Sequence, residues 1–276
     1  MKYRHLSKAG NHGDVLKHVL FVSILRELQS LHEDDEGLVI LDTHAGIGQY
    51  EIALQQKQAF QTGVGLVLDS CRTTTSVPDQ VLDYVGLVKG FDGDNNTDKS
   101  TLGLYPGSPA FTKLLLREKD TAVLCELNSS EFQKLESFIG RDPRFTLLNE
   151  NGFASLASSR SPGLVLIDPP YEDEQDYLAA VSAVQSVLRQ DPHQTIAIWY
   201  PLLGKDREED KIKKDLLESG DRVVLATISD VQETGLTGSS LIILNPPKKF
   251  AETFQEAVDW LAAALGGTSA CLRKEE

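Results

Sequence analysis

The sequence predicts an α/β domain built on a mainly parallel sheet with helices on both faces. Three observations carry this prediction. From residue 121 onward, short apolar runs alternate with amphipathic stretches, and strands alternating with helices imply parallel strands joined by crossovers. The runs are nearly continuous in apolar character, as expected of strands buried on both faces. Several end in an acid or a glycine turn, where an open parallel sheet binds its ligands.

The elements follow in order. In residues 12–32, Val15, Leu16, Val19, Leu20, Ile24, Leu25 and Leu28 recur at helical spacing. Asp14 falls in the first turn, where a negative charge suits the helix dipole. GLVILDTHAGIG (37–48) reads as a buried strand running into a glycine loop. Residues 53–104 are polar, lose clear alternation and contain FDGDNNTDKS. They read as a helical insertion into one core made of 1–52 and 105–276. A helix resumes at Ser108-Pro109, a good cap followed by a good first helical residue. Further strands are expected in TAVLCEL (121–127), FTLLNENGF (145–153), GLVLIDPPY (163–171), TIAIWYP (195–201), RVVLATIS (222–229) and SLIILNPP (240–247). The sheet then has seven strands, and the helix FAETFQEAVDWLAAAL closes the chain.

Composition narrows the class. With 276 residues and 41% apolar content, the chain is long enough for one large core with an insertion. Cys71, Cys125 and Cys271 form no CxxC pair, so a disulfide framework or cysteine-based zinc site is unsupported. No apolar run has membrane-spanning length, and MKYRHLSKAGNHGD lacks a signal-peptide core. A cytoplasmic monomer is expected. The net charge of −14 disfavours a broad nucleic-acid coat, because phosphate neutralisation drives such affinity. Lys2, Arg4, Lys8 and Lys17 against Asp14 nevertheless leave the first twenty residues net positive.

The strand exits are the places to look for chemistry. A glycine turn after the first strand, with an acid ending the next, is a nucleoside-binding pattern in which the acid accepts from ribose hydroxyls. Gly46 and Glu126 are eighty residues apart rather than about twenty, and the 53–104 insertion accounts for the excess. Taken singly, the glycine loop is equally an ordinary strand-to-helix turn, and Glu126 equally a helix cap. Asp168-Pro169-Pro170-Tyr171 is more specific. An adenine amine is a poor nucleophile because its lone pair is delocalised into the ring. Two acceptors aimed at its N–H bonds, the Asp168 carboxylate and the Pro169 carbonyl, favour an electron-rich nitrogen, and Pro170 stiffens the turn. Tyr171 offers a face for the base. This chemistry serves DNA, RNA and sometimes other amines. Asn245-Pro246-Pro247-Lys248 also follows an apolar strand but lacks the aromatic, and reads as a structural turn.

Five of the six histidines fall in the first 44 residues. GNHGD and DTHAG resemble metallophosphoesterase ligand runs, the rival enzyme class. Their order is the reverse of that family's and no further His-rich run follows, so no metal site is expected. A non-catalytic RNA- or cofactor-binding module is a third reading, against which the intact DPPY argues.

With these residues placed, the chain resembles the bacterial family of 23S ribosomal RNA adenine-N6 methyltransferases over essentially its whole length. The resemblance rests on YRHxxxAGNHGDVLKH (3–18), LDTHAGIGxY (41–50), YPGSP (105–109), LLLRExD (114–120), CEL (125–127), LIDPPY (166–171), IWYP (198–201) and LNPP (244–247). It implies a Rossmann-like class I methyltransferase core with a small inserted helical subdomain. It implies S-adenosylmethionine held among Lys17, His18, His44, Gly46, Ser108, Glu126, Asn151 and Gly152, with Asp168 as the catalytic residue. It implies that Tyr3, with Arg4 beside it and Tyr171 in the site, positions the target adenosine of free or partly assembled 23S RNA. Lys17 suits the cofactor's carboxylate, Glu126 its ribose, and Gly46 and Gly48 allow close backbone approach. At 151 the resemblance leads one to expect an acid. Asn151 accepts without charge assistance, and Glu150 is adjacent. Lys248 stands where an aromatic would follow NPP.

Overall fold

The computed structural model describes residues 8–33, 37–52, 59–93, 102–158, 163–172, 174–203, 208–231 and 236–274. Its main sheet comprises β1 (Val39–Asp42), β4 (Thr121–Cys125), β5 (Phe145–Leu148), β6 (Leu164–Ile167), β7 (Thr195–Leu202), β8 (Val223–Ser229), β9 (Gly238–Leu244) and β10 (Thr268–Lys274). Two further strands, β2 (Gln49–Glu51) and β3 (Leu104–Pro106), pair antiparallel by themselves. The main sheet runs β10-β8-β9-β7-β6-β1-β4-β5. The pairs from β5 through β7 are parallel, whereas β9 is antiparallel to both β7 and β8. From β1 the chain builds outward through β4 and β5, then returns to place β6 on the other side of β1. The strand order therefore reverses at β1, and a crevice opens at the carboxyl ends of β1, β4 and β6.

The sheet has eight strands, not the seven expected. The eighth, β10, pairs antiparallel with β8 from Thr268↔Ser229 to Lys274↔Val223. Its sequence TSACLRK carries no apolar run and is mostly exposed, as suits an edge strand. Ladder bonds and the hydroxyl contacts of Thr268 with Ser229 and Asp230 hold it in place. Hydrophobic patterning therefore could not reveal it.

Side chains from the buried strands alternate between two apolar layers. Leu164 and Leu166 face one layer while Val165 and Ile167 face the other. The first layer contains α1 (His12–Leu31), α3 (Asp79–Asp92), α5 (Ser129–Ile139) and α9 (Lys248–Leu265), and the second contains α7 (Glu174–Gln190) and α8 (Glu208–Glu218). α1 is buried almost all round, as a helix apolar on most sides must be. It is capped by Asn11, whose side chain accepts from Asp14 N. It lies against β7 and β9, with α3, α9 and α4 (Ser108–Leu115) around it.

Between β2 and β3 the described chain holds a short 3-10 turn (Ala59–Thr62), α2 (Val64–Thr73) and α3. Val64, Val67, Val81, Tyr84 and Val88 join the same apolar cluster as α1. The Asp92 carboxylate accepts from the backbone of Gly103 and Leu104, tying the end of α3 to the start of β3. The Asn245-Pro246-Pro247 turn lies at the opposite end of the sheet from the crevice. Because β9 runs antiparallel to β7, Leu244 registers with Ile196 at the start of that strand. Asn245 Nδ2 there donates to the Pro192 and Gln194 carbonyls. The motif shares its paired prolines with DPPY but not its location.

Candidate active site

The crevice is a cleft of about 910 Å³. Lys17, His18, His44, Gly46 and Ser108 line it together with Glu126, Asn151, Gly152, Asp168, Pro169 and Tyr171. Candidates scattered over more than 150 residues thus meet in one place. Tyr3 and Arg4 lie outside the described residues. Lys8 and Asn11, a few positions later, line the cleft.

The exit of β1 is tightly bonded. Asp42 Oδ2 accepts from Ser108 Oγ at 2.6 Å, and Oδ1 accepts from His44 N at 3.1 Å. Burial raises the Asp42 carboxyl to about 6, against lowering contributions from these bonds. Thr43 N and Oγ1 both donate to Leu166 O, joining the β1 exit to β6. That carbonyl can only accept, so the Thr43 hydroxyl proton goes to it and His44 Nδ1 donates to Thr43 Oγ1 at 2.8 Å. His44 Nε2 is left as an acceptor. Burial lowers the His44 imidazole to about 4, so the ring is neutral near pH 7.

Glu126 closes the glycine loop. Its Oε2 accepts from Gly46 N at 3.0 Å, and Oε1 from Asn128 N at 2.7 Å. Burial raises its pKa and these bonds offset part of the rise. Each oxygen keeps a lone pair for a further donor. Gly46 has φ +63°, and a Cβ there would stand 2.4 Å from the Tyr50 hydroxyl. The glycine is required by the turn itself. Beside it, Gly152 opens α6 (Gly152–Ser158) directly on Thr43, and a Cβ there would lie 2.1 Å from Thr43 O. Asn151 Oδ1 accepts from Phe153 N at 2.9 Å, so the amide oxygen expected at the cofactor's adenine also caps α6. Glu150 turns aside to accept from Ser155 Oγ.

At the end of β6, Asp168 Oδ2 accepts from Lys17 Nζ at 2.5 Å. Lys17 Nζ also donates to Asp14 Oδ1 at 2.9 Å. Burial disfavours the Lys17 charge, but the two carboxylates outweigh it and hold the ammonium above its ordinary pKa. One of its three N–H bonds remains for a cofactor carboxylate. Tyr171 has φ +47° and is 6% exposed. Its hydroxyl donates to Trp199 O at 2.7 Å and its ring centre lies 4.5 Å from that of Tyr177. Trp199, half-buried, adds a second aromatic wall, with Lys17 Nζ 6.0 Å from its ring centre. His18 Nδ1 lies 2.9 Å from the Tyr105 hydroxyl, which meets that of Tyr84 at 3.1 Å.

Sequence reasoning missed three participants. Asp14 was read only as a dipole partner, although its spacing of three from Lys17 places both on one helix face. Asp42 stands at a strand exit, but the sequence assigns it no role of its own. Trp199 lay inside IWYP with no role attached. Among the described residues no group of three or more His, Cys, Asp or Glu stands where it could hold a metal ion. No described helix is long and apolar enough to cross a membrane.

A sheet of this order, with acids at the exits of its central strands and a DPPY turn beside them, defines a class I methyltransferase of Rossmann-like fold. The model of the family described as RsmJ, ribosomal RNA large subunit methyltransferase D, RlmJ, matches residues 35–275, and the chain belongs to that family. Two relatives named ribosomal RNA large subunit methyltransferase J are 33% identical in Escherichia coli K12 and 32% identical in Haemophilus influenzae. Each alignment covers 96% of this chain and 94% of the relative. A crystal structure of a Legionella pneumophila protein is 26% identical with a TM-score of 0.84, covering 97% of this chain and 98% of that one. The family lends no support to the phosphoesterase reading.

Proposed function

We propose that this chain methylates the N6 amine of an adenine in 23S ribosomal RNA, using S-adenosylmethionine, with Asp168 at the reacting nitrogen. One observation carries the reading. Asp168, at the end of β6, shares a single cleft with Glu126, at the end of β4, so an amine acceptor and a ribose acceptor face the same space.

The donor set suits the cofactor. Glu126 keeps lone pairs for ribose hydroxyls, Asn151 and Gly152 flank the adenine end, and Lys17 has an N–H for a carboxylate. His44, Gly46 and Ser108 shape the wall between these ends, and His18 backs Lys17 on α1. When bound, S-adenosylmethionine supplies an electrophilic methyl group on sulfur. Asp168 and the Pro169 carbonyl accept from the two N–H bonds of the target amine and keep its lone pair on nitrogen. The nitrogen becomes acidic on methylation, so Asp168 needs only to pass its proton towards solvent. Tyr171 and Trp199 form the aromatic wall for the base.

Tyr3 and Arg4, in the basic N-terminal segment, help position the target adenosine. Residues 53–104 are an insertion into the core of 1–52 and 105–276, and α3 within them packs on α1. The enzyme acts as a cytoplasmic monomer on free or partly assembled 23S RNA. The test is transfer of labelled methyl to deproteinised ribosomal RNA, DNA and intact subunits, followed by nucleoside analysis. N6-methyladenine in the RNA is expected, and label in DNA alone overturns the substrate. Asp168→Ala is expected to abolish transfer while cofactor affinity by calorimetry stays within about threefold. Full activity in that variant overturns the mechanism.

A further inference from the structure

We propose that Asp14 is a positioning residue that holds Lys17 so that Asp168 keeps one oxygen for the target amine. This rests on the reading of Asp168 given above. Asp14 and Lys17 lie one turn apart on α1 and share a face. Asp14 Oδ1 accepts from Lys17 Nζ at 2.9 Å, and its Oδ2 accepts from Gly10 N at 2.9 Å. Its own backbone N–H goes to Asn11 Oδ1 at 3.0 Å. Asn11 therefore already caps α1. Asp14 does something else, since it is 3% exposed and one of its oxygens is spent on an ammonium.

The physical argument concerns how that ammonium is shared. A buried ammonium facing Asp168 alone would be drawn fully onto it and compete with the incoming amine for both oxygens. With Asp14 on its other side, the charge is divided. Lys17 bonds Asp168 through Oδ2, which fixes the carboxylate's rotation and leaves Oδ1 for the substrate. The bond from Gly10 anchors Asp14 to the turn before α1, so the chain entering the helix and the reacting carboxylate are set by one side chain. Asparagine at 14 could still accept from either donor, but it lacks the charge that offsets Asp168.

A double-mutant cycle on the full-length enzyme tests this, with deproteinised ribosomal RNA and labelled S-adenosylmethionine under single-turnover conditions. Asp14→Asn is expected to lower the methyl-transfer rate about 10- to 100-fold, the loss typical of a slightly misplaced catalytic group. KM for S-adenosylmethionine should stay within about threefold. In a Lys17→Met background the same change should lower the rate by less than about twofold, because a residue acting through Lys17 has nothing left to position. Equal losses in both backgrounds, or a raised KM at unchanged rate, overturn the proposal. Should Asp14→Asn fail to fold, Asp14→Ser takes its place in both backgrounds, with the same losses expected and the same outcomes overturning the proposal. Asp168→Asn is measured alongside. Wild-type transfer in that variant sinks the proposed function, whereas its inactivity together with additive losses at 14 and 17 sinks only the positioning role.

Discussion

Asp42 is 1% exposed at the end of β1, and burial raises its carboxyl to about 6 from an ordinary value of 3.8. Between those two values the folded chain keeps a proton that the unfolded chain has released. Raising the pH through that window therefore weakens the fold, and above about 6 the loss is complete. Two pKa units, at about 1.36 kcal/mol each, amount to roughly 3 kcal/mol opposing folding at neutral pH. Asp42→Asn removes the ionisation. The amide oxygen can still accept from His44 N, and the amide N–H can donate to Ser108 Oγ. The 2.6 Å bond from Ser108 loses its charge assistance, which offsets part of the gain. The variant is expected to be more stable than the parent by about 1–3 kcal/mol near pH 7.5 and by less than about 1 kcal/mol near pH 4. Urea denaturation of both proteins at the two pH values measures this. An equal gain at both, or a loss at neutral pH, refutes the idea that a buried charge is being held at the β1 exit.

Two further outcomes follow from packing. Gly152→Ala places a Cβ 2.1 Å from Thr43 O and 2.6 Å from Thr43 Cα; it is expected to destabilise the fold by about 1–3 kcal/mol and to weaken S-adenosylmethionine binding at least about tenfold, and unchanged affinity by calorimetry would separate this contact from the cofactor end. Asp120 is fully buried and accepts from Gln29 Nε2, Leu38 N and Arg117. Burial alone would raise its carboxyl, but these bonds prevail and hold it at about 2, so its stabilisation is present above 3.8 and is lost as the pH falls towards 2. Because the Arg117 side chain is a quarter exposed, Asp120→Asn is expected to destabilise by about 2–4 kcal/mol in urea melts at neutral pH, rather less than for a fully buried pair, and a loss below about 1 kcal/mol would show that Arg117 finds other partners.

Much of the fold was legible because its central strands bury both faces. GLVLI and TIAIW have to be continuous apolar runs, and their exits then name the places where polar groups collect. β10 was not legible, since an edge strand needs no apolar run and TSACLRK looks like a tail. DPPY and NPPK show the limit of reading motifs locally. Both follow an apolar strand, but β9 runs antiparallel to its neighbours, so its proline turn comes out at the opposite end of the sheet. Lys248 in place of an aromatic already marks NPPK as a structural turn, but only pairing direction shows which end of the sheet it occupies, and no local pattern reports that.

The sequence by itself determined that Asp168 ends a buried strand at the ligand side of a parallel sheet, with a glycine turn and Glu126 at the neighbouring exits. Periodicity and turn chemistry suffice for that, because they are properties of short segments. Tertiary structure decided what each side chain is bonded to. Lys17 is divided between Asp14 and Asp168, Asn151 doubles as a helix cap, and the Tyr171 hydroxyl is tied to Trp199 O. Asp42 becomes a buried charge only when α4 brings Ser108 over it. Hydrogen bonds of this kind depend on ångström-scale distances between segments far apart in the chain. Packing of the two apolar layers sets those distances, and residue order alone does not.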